Sequence, residues 1–323
     1  MTVMTSEVRA QVASQTNFTT AATPTVALRG LEELTLRSAN DIEVRGDMTT
    51  ALAGGDTGMV KAIAGAGSFS GWASYEHLAW WLDNLFGEAT PSGSYTRAYA
   101  APITTAPTPR IVSLVKGDST VGAYQLVGAL TSSFTLTGEI GEPLMFSGDL
   151  IGVKLQADAL ESLTAPTVNP IMSAHFTAFK WDAWGGTMGT TTLAACTVRS
   201  FEFTFNPDRN ARGCFGTLTA GAYVENPWTG TLKLGLEFNS TTKTDVDAII
   251  GGTLSQRQVQ MVATDSTRSL TLQFAGTVTE DLEIFSDDDG VVTVDVTLER
   301  TYHSTFANWF KASLVNAVAD IDP

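Results

Sequence analysis

The chain is short of charge, cysteine, histidine and long apolar runs, and each shortage removes a class of protein. Only 16% of its 323 residues are charged while 43% are hydrophobic, so disorder driven by charge repulsion is excluded. Bases are scarcer than acids, 19 against 34, for a formal charge of −15. That balance excludes a surface that grips duplex DNA through surplus Lys and Arg. Two cysteines, Cys196 and Cys214, cannot staple a chain of this length and read as half-buried thiols of a reducing compartment. The longest uncharged stretch, residues 119–138, is broken by Gln125, Gly122, Gly128 and several hydroxyl side chains, which argues against a membrane helix. The first fifteen residues carry Glu7 and Arg9 and no apolar run of seven, so no secretory signal is expected. Without one, the sequons at Asn17 and Asn239 carry no weight.

Catalytic signatures are missing too. His77, His175 and His303 lie far apart and fit no zinc spacing; His77, beside Glu76 in a helix, is expected to be solvated. The stretch Gly67-Ser68-Phe69-Ser70-Gly71 places phenylalanine where a nucleophile elbow needs serine. Gly65, Gly67 and Gly71 miss the dinucleotide fingerprint by one residue, and there is no Walker A sequence. The acids Glu280, Asp281, Glu283, Asp287, Asp288 and Asp289 crowd into ten residues, but Asp287, Asp288, Asp289 and Gly290 are contiguous where a calcium loop needs alternation, so the cluster reads as a charged turn between strands. No enzymatic activity, metal or cofactor is expected.

What the chain has is threonine, 46 residues, with 29 glycines. Threonine fits a half-exposed pleated surface and glycine punctuates turns, so the composition favours an all-β fold. The chain also repeats itself. Residues 31–37 (LEELTLR) and 198–206 (VRSFEFTFN) align at a shift of 169, which places Glu33 on Glu202 and Thr35 on Thr204. Both are period-2 strands, and each is followed by a charged, turn-rich loop. In the first half a strand over 61–72 leads to an amphipathic helix over 75–86, with Leu78, Trp81, Leu82, Leu85 and Phe86 on one stripe, Ser74 as cap and Gly87 at its end. In the second half a strand over 232–238 precedes a weaker helix over 245–250, capped by Thr244 and ended by Gly251. Residues 112–120 (VSLVKGDST) then match 259–267 (VQMVATDST) at a shift of 147. Gly128 and Gly141 match Gly276 and Gly290. Five ordered matches read as a duplication with unequal loops.

The resulting division is an N-terminal arm over 1–29, a first domain over 30–157 and a packed, Trp-rich connector over 158–196. A second domain covers 197–304, and a helix or arm covers 305–323, where Phe306, Trp309, Phe310 and Leu314 fall close to helical spacing.

The order of these motifs resembles the major tail tube protein of long-tailed, siphovirus-like bacteriophages. The resemblance is carried by LEELTL, the charged loop, SFSGW at 68–72, the L-x-x-W-L-x-x-L-F-G helix, YQLVGALTSSFTL at 124–136 and the strand 198–205, and it spans residues 30–305. It implies β-sandwich or partial-barrel domains with one flanking helix each, here two in tandem as in the fused members of the family. Single-domain members stack rings of six into a tube for DNA. A two-domain chain implies three copies in a pseudo-hexameric ring, with six copies the lesser alternative. The resemblance further implies a place in the virion tail, assembly in the host cytoplasm, a tape-measure protein and a tail terminator as partners, and DNA that passes through the lumen without specific binding.

Strand alternation then assigns faces. Leu34, Leu36, Phe201, Phe203 and Phe205 point to the core, so Glu33, Thr35, Glu202 and Thr204 face the lumen, joined by Asp281, Glu283, Asp295 and Glu299. Such a wall repels phosphate. The charged loop with Asp41, Glu43, Arg45 and Asp47 is the candidate contact between rings. Two alternatives share the β pattern. An outer-membrane barrel needs a signal and aromatic girdles. A carbohydrate-binding or carbohydrate-degrading protein needs carboxylates paired in a cleft.

Overall fold

The protein is described from a computed structural model, which covers residues 8–45, 57–93, 95–194, 197–251, 256–279, 284–288 and 290–322. Strands dominate and two short helices accompany them, an all-β fold with minor α. The first half runs β1 (Arg9–Ser14), β2 (Val26–Ala27), β3 (Leu31–Ser38), β4 (Asp41–Arg45), β5 (Thr57–Ala62), β6 (Gly65–Trp72), α1 (Leu78–Phe86), β7 (Thr96–Ala100), β8 (Val112–Asp118), β9 (Gly122–Glu139), β10 (Met145–Gly152) and β11 (Lys154–Asp158). The second runs β12 (Phe176–Ala183), β13 (Val198–Asn206), β14 (Arg209–Arg212), β15 (Ala222–Glu225), β16 (Thr229–Glu237), α2 (Ser240–Ile250), β17 (Gln256–Asp265), β18 (Arg268–Val278), β19 (Ile284–Asp288), β20 (Val291–Arg300) and β21 (Phe310–Val315).

All named strand pairings are antiparallel. In the first half β3 pairs with β6, β6 with β10, β10 with β9 and β9 with β8. In the second half β13 pairs with β16, β16 with β20, β20 with β18 and β18 with β17. The two series follow the same order. β1 lies against β8 as β12 lies against β17, and β11 against β9 as β21 against β18. The halves are joined where β13 pairs with β9 over Ser200–Phe205 and Phe134–Glu139.

The 18-residue β9 serves two layers. Its first part pairs with β8 and β11, its last part with β10 and β13. Gly128 turns the strand between them with a φ of +68°, and a Cβ there would lie 2.3 Å from the Phe18 carbonyl oxygen. Only glycine meets both demands.

One continuous core links the halves. Trp81 of α1 stacks on Phe69 at 4.0 Å, and Phe86 sits between Phe205, Trp228 and Phe310 at 5.1–5.3 Å. α1 is therefore not amphipathic in its setting: all nine residues are buried, Asp83 and Asn84 included. It also begins later than the periodicity predicts. Ser74 accepts the His77 N–H at its hydroxyl and the Leu78 N–H at its carbonyl, which makes residues 75–77 a turn. His77 is buried against the Arg29 backbone, contrary to the expected solvated position.

α2 begins earlier than expected. Asn239 Oδ1 accepts the Thr242 N–H at 3.2 Å and Thr242 Oγ1 accepts the Asn239 N–H at 2.8 Å, a reciprocal cap that starts the helix at Ser240. Residues 310–315 form β21, not a helix. Phe310, Ala312 and Leu314 are buried while Lys311, Ser313 and Val315 are half-exposed, so the period is 2. Part of the stretch read as a connector is strand β12, and residues 9–14 of the expected arm are strand β1. Cys214 is exposed, where a half-buried thiol was expected, and Cys196 lies outside the described residues. Among the described residues no helix is long and apolar enough to cross a membrane.

Candidate functional face

Seven strands, β3, β6, β10, β9, β13, β16 and β20, lie side by side, and their registers align the polar positions into a single face. Glu33 and Thr35 stand opposite Ser70 and Ser68. Those serines stand opposite Ser147 and Asp149, which face Thr135 and Ser133 of β9. Thr135 and Thr137 continue to Thr204 and Glu202, then to Thr231 and Lys233, then to Glu299 and Thr297, with Asp295 opposite Gly235. Side chains directly opposite one another in an antiparallel pair share a face, so this band crosses both halves without a break.

The reverse side of the same strands is core. Leu34, Phe69, Phe134, Leu136, Phe146, Phe203, Leu232, Val296 and Leu298 are all buried there. The polar side carries seven acids, Glu33, Glu139, Asp149, Glu202, Glu237, Asp295 and Glu299, and two bases, Arg37 and Lys233, a net of −5. Its hydrogen bonds are local. Thr35 Oγ1 donates to Glu33 at 3.2 Å, Ser133 Oγ to Asp149 at 2.8 Å, and Lys233 pairs with Asp295 at 3.0 Å.

A family model described as phage tail tube protein matches residues 5–303. The chain belongs to that family. No curated protein matches it. As a phage tail tube protein it is a structural component of the virion tail that assembles with itself into the tube.

Six of the expected lumen residues of this tail tube protein fall on the common face. Glu33, Thr35, Glu202 and Glu299 are exposed or nearly so there, while Thr204 and Asp295 are half-buried. Leu36, assigned to the core, is only half-buried. Asp281 and Glu283 lie outside the described residues, as does Asp47. Asp287 and Asp288, read as part of a turn, belong instead to strand β19. Asp41 and Glu43 lie on β4, which pairs with β5 in a two-stranded hairpin, so the region is not a plain loop. Glu43 pairs there with Lys61 at 2.5 Å; the side chain of Arg45 is outside the described residues.

The sequence reading missed Ser68, Ser70, Ser133, Thr135, Ser147 and Asp149. Their signal was present as period-2 alternation in GSFSGW and MFSGDL, but glycine at the core positions Gly67 and Gly71 blurred it.

Where the halves meet, a buried network reinforces the sheet. Arg209 at the start of β14 donates to the carbonyls of Asn84, Thr131 and Leu85 at 2.6–3.1 Å and to Glu225 at 2.8 Å. Asn84 and Leu85 end α1, so a cation of the second half caps a helix of the first. Burial lowers the pKa of Arg209, and the adjacent Glu225 carboxylate opposes that shift. Within the first half, Asp83 accepts from Tyr99 at 2.8 Å and from Arg110 at 3.0 Å. Burial raises the pKa of Asp83 against the pull of Arg110, and burial beside Asp83 pushes the Tyr99 phenol well above its ordinary value.

Proposed function

We propose that the chain is a fused tail tube protein of the siphovirus type, two like halves from an internal duplication, and that three copies close a pseudo-hexameric ring. The division into domains over 30–157 and 197–304 follows from this reading. Rings stack into a tube assembled in the host cytoplasm around a tape-measure protein and closed by a tail terminator. The polar face is the lumen wall, and DNA passes along it during ejection without being held.

The observation that carries this reading is the face rich in Ser, Thr and acids that crosses both halves, with core behind it. With a net of −5 per chain, three copies line a ring with 3 × −5, or −15. A wall of that sign releases no counterions from DNA and offers it no attachment. Asp41 and Glu43, with Arg45 and Asp47, are the proposed contacts between successive rings.

Negative-stain electron microscopy of the purified chain is expected to show rings or hollow tubes. Assemblies of a Glu33→Lys, Glu202→Lys, Glu299→Lys variant are expected to retain DNA at low salt and release it as salt rises, whereas the unaltered assemblies retain none. A chain that stays dispersed sinks the tube reading. Tubes whose DNA retention is unmoved by the three lysines sink the lumen assignment.

A further inference from the structure

The polar face has relief. Across β3, β6, β10 and β9 it sinks into an open trough of about 340 Å³, lined by five hydroxyl side chains, Ser70 and Ser147 among them, and by the carboxylates of Glu33 and Asp149. Two rows of facing residues cross it. One runs Glu33, Ser70, Ser147, and the next, one step along the strands, runs Thr35, Ser68, Asp149, Ser133. Glu33 and Asp149 therefore stand at opposite corners. They accept hydroxyl hydrogen bonds from Thr35 and Ser133, and neither pairs with a cation among the described residues. Glu33 also borders the cleft lined by Arg9, Arg29, Lys116 and Glu32, without pairing with any of the three bases.

The second half supplies the comparison. Its registers set Glu202, Lys233 and Thr297 in one row and Thr204, Thr231, Glu299 and Thr277 in the next. Position by position, acids fall on acids and hydroxyls on hydroxyls, with one exception. Where β16 carries Lys233, β6 carries Ser70. The second half thus has an ammonium group built in, paired with Asp295 at 3.0 Å. Asp295 has no acidic counterpart, since Met145 stands at that position, so an ammonium entering the first half meets Glu33 and Asp149 instead.

We propose that the trough binds an aliphatic polyamine from solution, with one ammonium group on Glu33, another on Asp149 and the methylenes across Ser70 and Ser147. Ammonium groups only donate, and carboxylate and hydroxyl oxygens accept. The two carboxylates belong to strands two spacings apart, about 10 Å, and are offset by about 7 Å along them. A monoamine or a metal ion meets one of the pair. A triamine such as spermidine spans both, and its second contact forms at high effective concentration. The ligand's place in the tube rests on the reading of this face as the lumen wall; binding to the chain does not.

Isothermal titration calorimetry of the full chain with spermidine, at an ionic strength that screens distant charges, tests the site. One spermidine per chain is expected, with butylamine and magnesium ion weaker by about tenfold or more. Ser70→Lys gives the first half the ammonium that the second already has, and is expected to weaken spermidine by about tenfold or more through like charge. Thr187→Lys adds the same charge on the exposed loop after β12, outside the strands of the face, and is expected to leave binding unchanged. Lys233→Ser is expected to open the corresponding site and raise the count to two per chain, a gain that a misfolded variant cannot produce. Lysine variants that weaken binding alike, magnesium that binds as tightly as spermidine, or a Lys233→Ser chain that still takes one each overturn the site. Tubes that take no spermidine overturn the site alone. The expected binding by a chain that forms no tubes sinks the tube reading and leaves the site standing.

Discussion

His77 shows how far a single residue can depart from its local sequence. Beside Glu76 it has the setting of a surface histidine, yet it is 6% exposed and its Nδ1 lies 3.1 Å from both the backbone nitrogen and the carbonyl oxygen of Arg29, so the tautomer decides which of the two it bonds. Burial lowers its pKa from 6.5, so the folded chain holds the ring neutral. As pH falls through 6.5 the unfolded chain takes up the proton first, so stability conferred by the neutral ring is present above that value and lost below it. Urea unfolding between pH 7 and 5 is expected to show that decline, and His77→Gln is expected to flatten it. An unchanged slope in the variant would assign the decline to other groups. The alternation of faces along β3 was legible because it needs only its own strand: Leu34 buried between exposed Glu33 and Thr35 is a statement about period 2. The burial of His77 depends on Arg29, 48 positions away, and no local pattern carries that.

Among the elements, α1 depends most on partners distant in the chain. Its C-terminal carbonyls at Asn84 and Leu85 are satisfied by Arg209, and its last side chain by Phe205, Trp228 and Phe310. Arg209→Met removes the donor to three carbonyls and the cationic partner of the buried Glu225 carboxylate, which keeps the Trp228 indole N–H. It is expected to cost about 3–5 kcal/mol, read as a drop in chemical denaturation midpoint. Adding Glu225→Gln is expected to recover part of that loss, because the stranded charge is removed; equal midpoints for the single and double variants would contradict this. The helices and β21 were read less well than the strands for a related reason. Phe306, Trp309, Phe310 and Leu314 satisfy a helical spacing, while 310–315 also satisfies period 2, and only the neighbours decide. β21 lies between β7 and β18, one strand from each half, which fixes the extended form.

At the scale of the molecule, two of the sequence matches fall on strands with corresponding pairings: β3 and β13, β8 and β17. Long-range neighbours such as β9 and β13 were not foreshadowed, because register between distant strands is set by packing over the whole sheet. On the β4–β5 hairpin Glu43 and exposed Met59 stand opposite one another, and Glu43 is paired with Lys61. This side is the proposed contact between rings. Asp41→Ala with Glu43→Ala is expected to leave closed rings and shorten or abolish tubes, counted on micrographs; tubes of undiminished length would remove the hairpin from the stacking contact.

The pairing of β9 with β13 also has a consequence for how readily a ring closes. Two bodies that meet in solution give up translational and rotational freedom worth about 4–15 kcal/mol. Between the two halves of one chain that freedom is already gone, because the chain itself holds them at a fixed, high effective concentration. In the proposed ring of three chains, the three contacts between halves of one chain form during folding and only the three between chains form by encounter. Its closure is correspondingly less sensitive to dilution than that of a ring assembled from six separate pieces.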